Sequence, residues 1–202
     1  MNDTDATTQT QGSGTQQRVS AANRLGLDYR AEAARLGAPT VPIGEAHTHV
    51  HGDRAARIYK EVRDLFGVSM TYSMSGLTEA ERLKEIFGET IRFIAIPQFR
   101  SENRLHAFTE GFMDDLDRWH ELGSRICKFW CAPRGVDMSE QAGEPGLLTL
   151  DHPWRRRHMD KAVELGMMFM VHVADPDTWF ATKYSDASRY GTKRDQYGQF
   201  ER

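Results

Sequence analysis

Three histidines, His47, His49 and His51, occupy alternate positions in the run IGEAHTHVHG at residues 43–52. Successive side chains of a strand point to opposite faces, so residues two apart share a face. At the end of such a strand His47 and His49 can present two imidazoles to one ion. Borderline cations such as Zn2+ favour imidazole nitrogen and need three or four ligands. Glu45 lies one step deeper on the same face, where a carboxylate can orient a ligand histidine. The competing reading of the run is a polar, histidine-rich turn that holds no metal.

His172, within MMFMVHVADP at 167–176, sits at the C-terminal end of an otherwise apolar stretch. A histidine buried there is costly unless it is hydrogen-bonded or liganded, and in α/β folds the C-terminal strand ends are where functional sites form. The alternative is a core histidine bonded to a backbone carbonyl. Lys128, in RICKFWCAP at 125–133, lies between apolar neighbours, and a buried lysine must be paired, neutral or modified. It can bridge two metals as a carbamate, stabilise a substrate carboxylate or a transition-state anion, or reach the rim with its charged end. Cys127 and Cys131 flank it and need no role beyond that of small buried hydrophobes. The basic run WRRRH at 154–158 follows Asp151 and Pro153, which read as a helix start. It is expected to be a solvated face rather than a nucleic-acid surface. Met167, Met168 and Met170 read as core, and Asp175 and Asp177 can cap a helix beginning near Thr178.

The elements that must position these residues alternate along the chain. Short apolar or β-branched runs at 41–47, 68–73, 91–96, 125–129 and 168–173 read as strands. Amphipathic segments at 54–66, 77–87, 105–122 and 153–165 read as helices, several ending in a glycine (Gly67, Gly88, Gly123, Gly166) suited to the left-handed position after a helix. A leading helix is expected within 21–36. Five strand–helix alternations mean parallel strands joined by right-handed crossovers. Residues 1–22, rich in Thr, Gln, Ser and Gly, read as a disordered tail, and 23–202 as one α/β domain. No strand is expected in the polar, turn-rich stretch after Val173.

With 202 residues the chain is long enough for one sizeable core, and its 39% hydrophobic and 27% charged composition is that of a globular protein. Net charge is −3, the sequence pI is about 6.2 and the mean hydropathy is −0.61, so no nucleic-acid or anionic-membrane partner is invited. The longest apolar runs are about five residues, against the roughly 18 needed to span a bilayer. Two cysteines make no disulfide framework, and the N-terminus resembles no secretory or transit signal, which together point to the cytoplasm.

HxH ending the first strand, a lysine in the fourth, and LTLDHP, a helix, ELG and an apolar strand closing on a histidine together resemble the amidohydrolase superfamily. The likeness is to its amidohydrolase-related group, which includes the aminocarboxymuconate-semialdehyde decarboxylase type, and it runs from about Pro42 to Pro176. The resemblance implies a metal-dependent (β/α)8 TIM barrel in which His47, His49 and His172 bind a divalent metal, zinc first. Lys128 then falls on the strand that carries a carbamylated lysine in binuclear members, which gives it a catalytic role. The metal would activate a water for attack on a C–N or ester bond, or assist decarboxylation, of a small-molecule substrate. The family adds a histidine after strand six and an aspartate after strand eight, and neither is found in this sequence. About five βα units in a length below the roughly 250 residues of a full barrel therefore suggest an incomplete barrel, the N-terminal portion of such a protein. Two other readings compete. One is a catalytically inactive fragment or binding module that keeps the histidines and pairs with a second copy through exposed edges. The other is an open flavodoxin-like sheet, which HTHVHG does not favour because it lacks a phosphate cradle.

Overall fold

The computed structural model describes residues 26–132 and 135–173. The expected tail at 1–22, the Asp175 and Asp177 cap and the stretch after Val173 lie outside them. The order is α1 (Tyr29–Leu36), β1 (Ile43–Thr48), α2 (Asp53–Leu65), β2 (Val68–Ser73), α3 (Leu77–Phe87), β3 (Ile91–Ala95), α4 (Arg104–Phe108), α5 (Glu110–Glu121), β4 (Ile126–Trp130), α6 (Gly135–Gln141), α7 (Pro153–Glu164) and β5 (Met168–His172). The five strands form one parallel sheet in the order 1-2-3-4-5. Each crossover adds the next strand on the same side, so right-handed connections place every joining helix on one face and the sheet curls into a half-barrel. A flavodoxin-like sheet reverses its strand order, as 2-1-3-4-5, and this sheet does not.

Strand alternation allots the faces. Ile91, Phe93, Ala95, Cys127 and Phe129 turn toward the helices and join Ala80, Leu83, Phe112, Leu116, Trp119 and Ala162 in one buried cluster. The rings of Phe93 and Trp119 lie 5.8 Å apart, and the Trp119 indole N–H donates to the Ile96 carbonyl at 3.3 Å. The helix ends follow the glycines: Gly67, Gly88, Gly123 and Gly166 all have positive φ, a conformation in which only glycine avoids a Cβ clash. The short leading helix expected within 21–36 is α1, started by Asp28, whose carboxylate accepts from the N–H groups of Arg30 and Ala31.

The helix expected over 105–122 is two helices. At Thr109 the backbone leaves helical geometry (φ −121°, ψ −111°). The Thr109 carbonyl accepts both from the Met113 N–H at 3.3 Å and from His158 Nε2 at 2.9 Å. Two residues on, Gly111 lets α5 pass close to α4, where a Cβ would lie 2.8 Å from the His106 carbonyl oxygen. His158 also corrects the reading of WRRRH as a solvated face. Arg155 and His158 are fully buried, because residues three apart on α7 share the face that meets the sheet. Arg155 Nη2 donates to the Trp130 carbonyl at 3.1 Å, and its guanidinium lies over the Phe129 ring. The His158 ring sits against Phe112 and Trp154. The helix start expected here is present, with His152 as its cap, Nδ1 accepting from the Trp154 N–H at 3.2 Å.

Burial drives the His158 pKa down from 6.5 to about 4. The folded ring is therefore neutral, while the unfolded chain takes up a proton below pH 6.5. Its contribution is complete above pH 6.5 and is lost as pH falls toward 4, a change of about 3 kcal/mol. Urea unfolding at pH 7 and pH 4.5 should show the wild type losing more stability than His158→Gln by most of that amount. Parallel pH profiles would show that the ring is not held neutral.

Candidate metal centre

Alternation along β4 sends Cys127 and Phe129 to the helices and Lys128 to the inner face of the curl. Lys128 is 6% exposed, which removes the reading of a chain reaching the rim. Its Nζ lies 3.0 Å from His47 Nε2 and 3.1 Å from Met74 Sδ. Met74, fully buried just past the end of β2, floors the contact with a soft apolar group. Side chains from β1, β4 and the end of β2 thus converge on one point, joining positions 81 residues apart.

His47 and His49 stand side by side, with ring centroids 5.6 Å apart and planes tilted by 50°. Two imidazoles on one tetrahedral ion, each nitrogen about 2.0–2.1 Å from it, bring their centroids to about 5 Å. The observed pair is close to that arrangement. His172 ends β5 opposite Trp130, near enough to His47 for its charge to act on the ring. Phe99 and Trp130, with rings 5.8 Å apart and edge to face, pack against the buried Phe108, Leu147 and Leu148.

The surroundings oppose protonation of the two imidazoles. Partial desolvation is the largest cause lowering the His47 pKa, followed by the positive charges of Lys128 and His172, with Glu45 opposing. His49 is lowered by burial first, then by Lys128, His47 and His51, against a hydrogen bond to the Met74 backbone. Burial alone lowers Lys128. Neutral imidazoles are the form that binds metal, so the donor chemistry of the pair fits zinc. The arrangement is not a finished ligand set: among the described residues, no group of three or more His, Cys, Asp or Glu is placed to hold a metal ion.

Two expected neighbours behave differently. Glu45 Oε1 accepts from the backbone N–H of His47 at 2.8 Å and so braces the chain rather than the ring. A register irregularity between Glu45 and Thr48 interrupts the simple alternation that placed it behind the ligands. His51 turns away to Glu79, Nδ1 to Oε2 at 2.9 Å. Both cysteines are inert: burial pushes Cys127 up to about 12 and raises Cys131. Met74, Ser73, Ser75 and Glu79 carry no sequence spacing that marks them, because contacts across strands define their place.

No protein-family model, curated protein or solved structure gives a significant match to this chain. Among the described residues no helix is long and apolar enough to cross a membrane.

Replacing Lys128 with methionine keeps the bulk and deletes the charge that depresses both rings. In an NMR titration of Lys128→Met, the His47 and His49 imidazoles should titrate at higher pH than in the wild type. They should stop short of the ordinary value because burial persists. Unmoved titrations would mean that the ammonium does not face these rings.

Proposed function

We propose that the inner end of the curl is a divalent-metal site, zinc first, held by His47, His49 and His172. On this reading the chain is the metal-binding part of a hydrolase or carboxy-lyase of the amidohydrolase-related kind, acting on a small molecule. The observation that carries it is the meeting of β1 and β4 at the inner end of the curl, with Lys128 Nζ 3.0 Å from His47 Nε2, beside β5 and its His172. A buried lysine drawn to an imidazole across that separation, beside a second imidazole whose surroundings oppose protonation, is the kind of arrangement that marks a site.

When bound, the ion would lower the pKa of a water to near neutrality and polarise a substrate carbonyl. The chain's own residues set the terms. His47 and His49 keep their lone pairs because their surroundings resist protonation. Lys128 occupies the space facing His47 Nε2, so it competes with any cation for that lone pair. Displaced from it, the amine remains available to hold an anionic substrate group. Met74, fully buried, sets its sulfur against the amine.

A second reading is a binding module without turnover, and the absence of a ready-made three-donor cluster among the described residues favours it. Elemental analysis of the purified protein separates these possibilities. The metal reading expects about one equivalent of zinc or a similar ion, lost in His47→Ala and in His172→Ala. A folded, metal-free wild type would sink it. Bound metal without turnover of amide, ester or carboxylate substrates would leave the binding module.

A further inference from the structure

The residues that hold the histidine segment in place belong to β2 and α3. β1 ends at Thr48, so His49 and His51 lie beyond the sheet, on a stretch where backbone groups have no strand partner and would be free to move. They are nevertheless tied down. The Met74 N–H donates to the Thr48 carbonyl at 2.9 Å. The Val50 N–H donates to Ser73 Oγ at 3.2 Å, and Ser75 Oγ donates to the Val50 carbonyl at 2.7 Å. The two hydroxyls bond each other at 2.8 Å, and both serines are fully buried. Glu79 completes the clasp, one oxygen on His51 Nδ1 and the other on the Gly52 N–H at 3.0 Å. Between the exposed His49 and the half-buried, Glu79-bonded His51, the Val50 side chain is buried at 3% exposure, so the segment has one fixed face and presents His49 on the other.

We propose that Ser73, Ser75 and Glu79 are positioning residues: by clamping both backbone groups of Val50 and the turn at Gly52, they hold His49 beside His47 at the separation a shared cation requires. Val50 is buried, so its backbone groups cannot turn to water; both are met instead by hydroxyls anchored at the end of β2, which fixes this turn of chain against the sheet. Their effect is to fix the ring of His49, one residue before. This inference rests on the metal reading above.

The test compares Co2+ binding and the visible spectrum of the bound ion in the full chain for the wild type, Ser75→Ala, Ser75→Thr, Glu79→Ala and Ser124→Ala. Ser124 is a matched control, also buried, with its hydroxyl on the Phe93 and Ile126 carbonyls and away from the histidines. Groups that orient ligands typically contribute 10–100-fold to metal affinity. Ser75→Ala and Glu79→Ala should bind Co2+ at least about tenfold more weakly, with an altered spectrum. Ser75→Thr should restore both, and Ser124→Ala should bind as the wild type does, whatever its melting temperature. Wild-type binding in Ser75→Ala and Glu79→Ala, or an equal loss in Ser124→Ala, overturns the proposal. If the wild type binds no Co2+, the metal reading fails by itself, and amide exchange at Val50 decides the clasp. At least about tenfold faster exchange in Ser75→Ala, from an N–H freed to solvent, supports it; unchanged exchange overturns it.

Discussion

Every strand here has two faces to satisfy, and the sequential parallel order decides both at once. Helices cover one face along the whole sheet, so the residues that alternate with the core have to point into a shared concavity. Polar groups sent there cannot scatter. They meet one another, and Lys128 meets His47 because β4 and β1 turn toward the same axis. The half-barrel curl and the proposed site therefore have one cause: a crossover of constant hand repeated four times.

That constraint explains how charge is handled on the two sides of the sheet. On the helix side, Arg155 is buried and bonds the Trp130 carbonyl, with Phe129 under its guanidinium and no carboxylate partner among the described residues. On the inner side, Lys128 is buried against an imidazole and a thioether. Neither cation has a carboxylate partner among the described residues, and burial lowers the affinity of both for the proton. A guanidinium stays charged regardless. An amine can give its proton up, so of the two only the inner cation has a protonation state open to change.

Much of this was legible in the sequence. Alternating apolar runs and helix-ending glycines gave five strands and most helices to within a residue or two, because period and φ are local properties. HxH and the lone lysine of RICKFWC stood out because polar residues in apolar strands are costly. The break at Thr109 was hidden, since what makes it tolerable is a hydrogen bond from His158, far along the chain. Helix α6 was hidden because 131–150 shows no clear period. The burial of Arg155 and His158 was readable in principle: with Ala162 they form one helical stripe, obscured by the arginines between them. Ser73, Ser75, Met74 and Glu79 had no such signal, because their roles exist only across strands.

The contact between Lys128 and His47 also bears on the order of assembly. Each βα unit of this fold docks mainly on its neighbour, so most of the core can condense from pieces close in sequence. The 81-residue closure between these two side chains has no local substitute. It cannot form until the intervening strands lie side by side in register. A lysine trapped between an imidazole and a thioether is thus a mark of completed folding, and a contact that every partly folded form of the chain lacks.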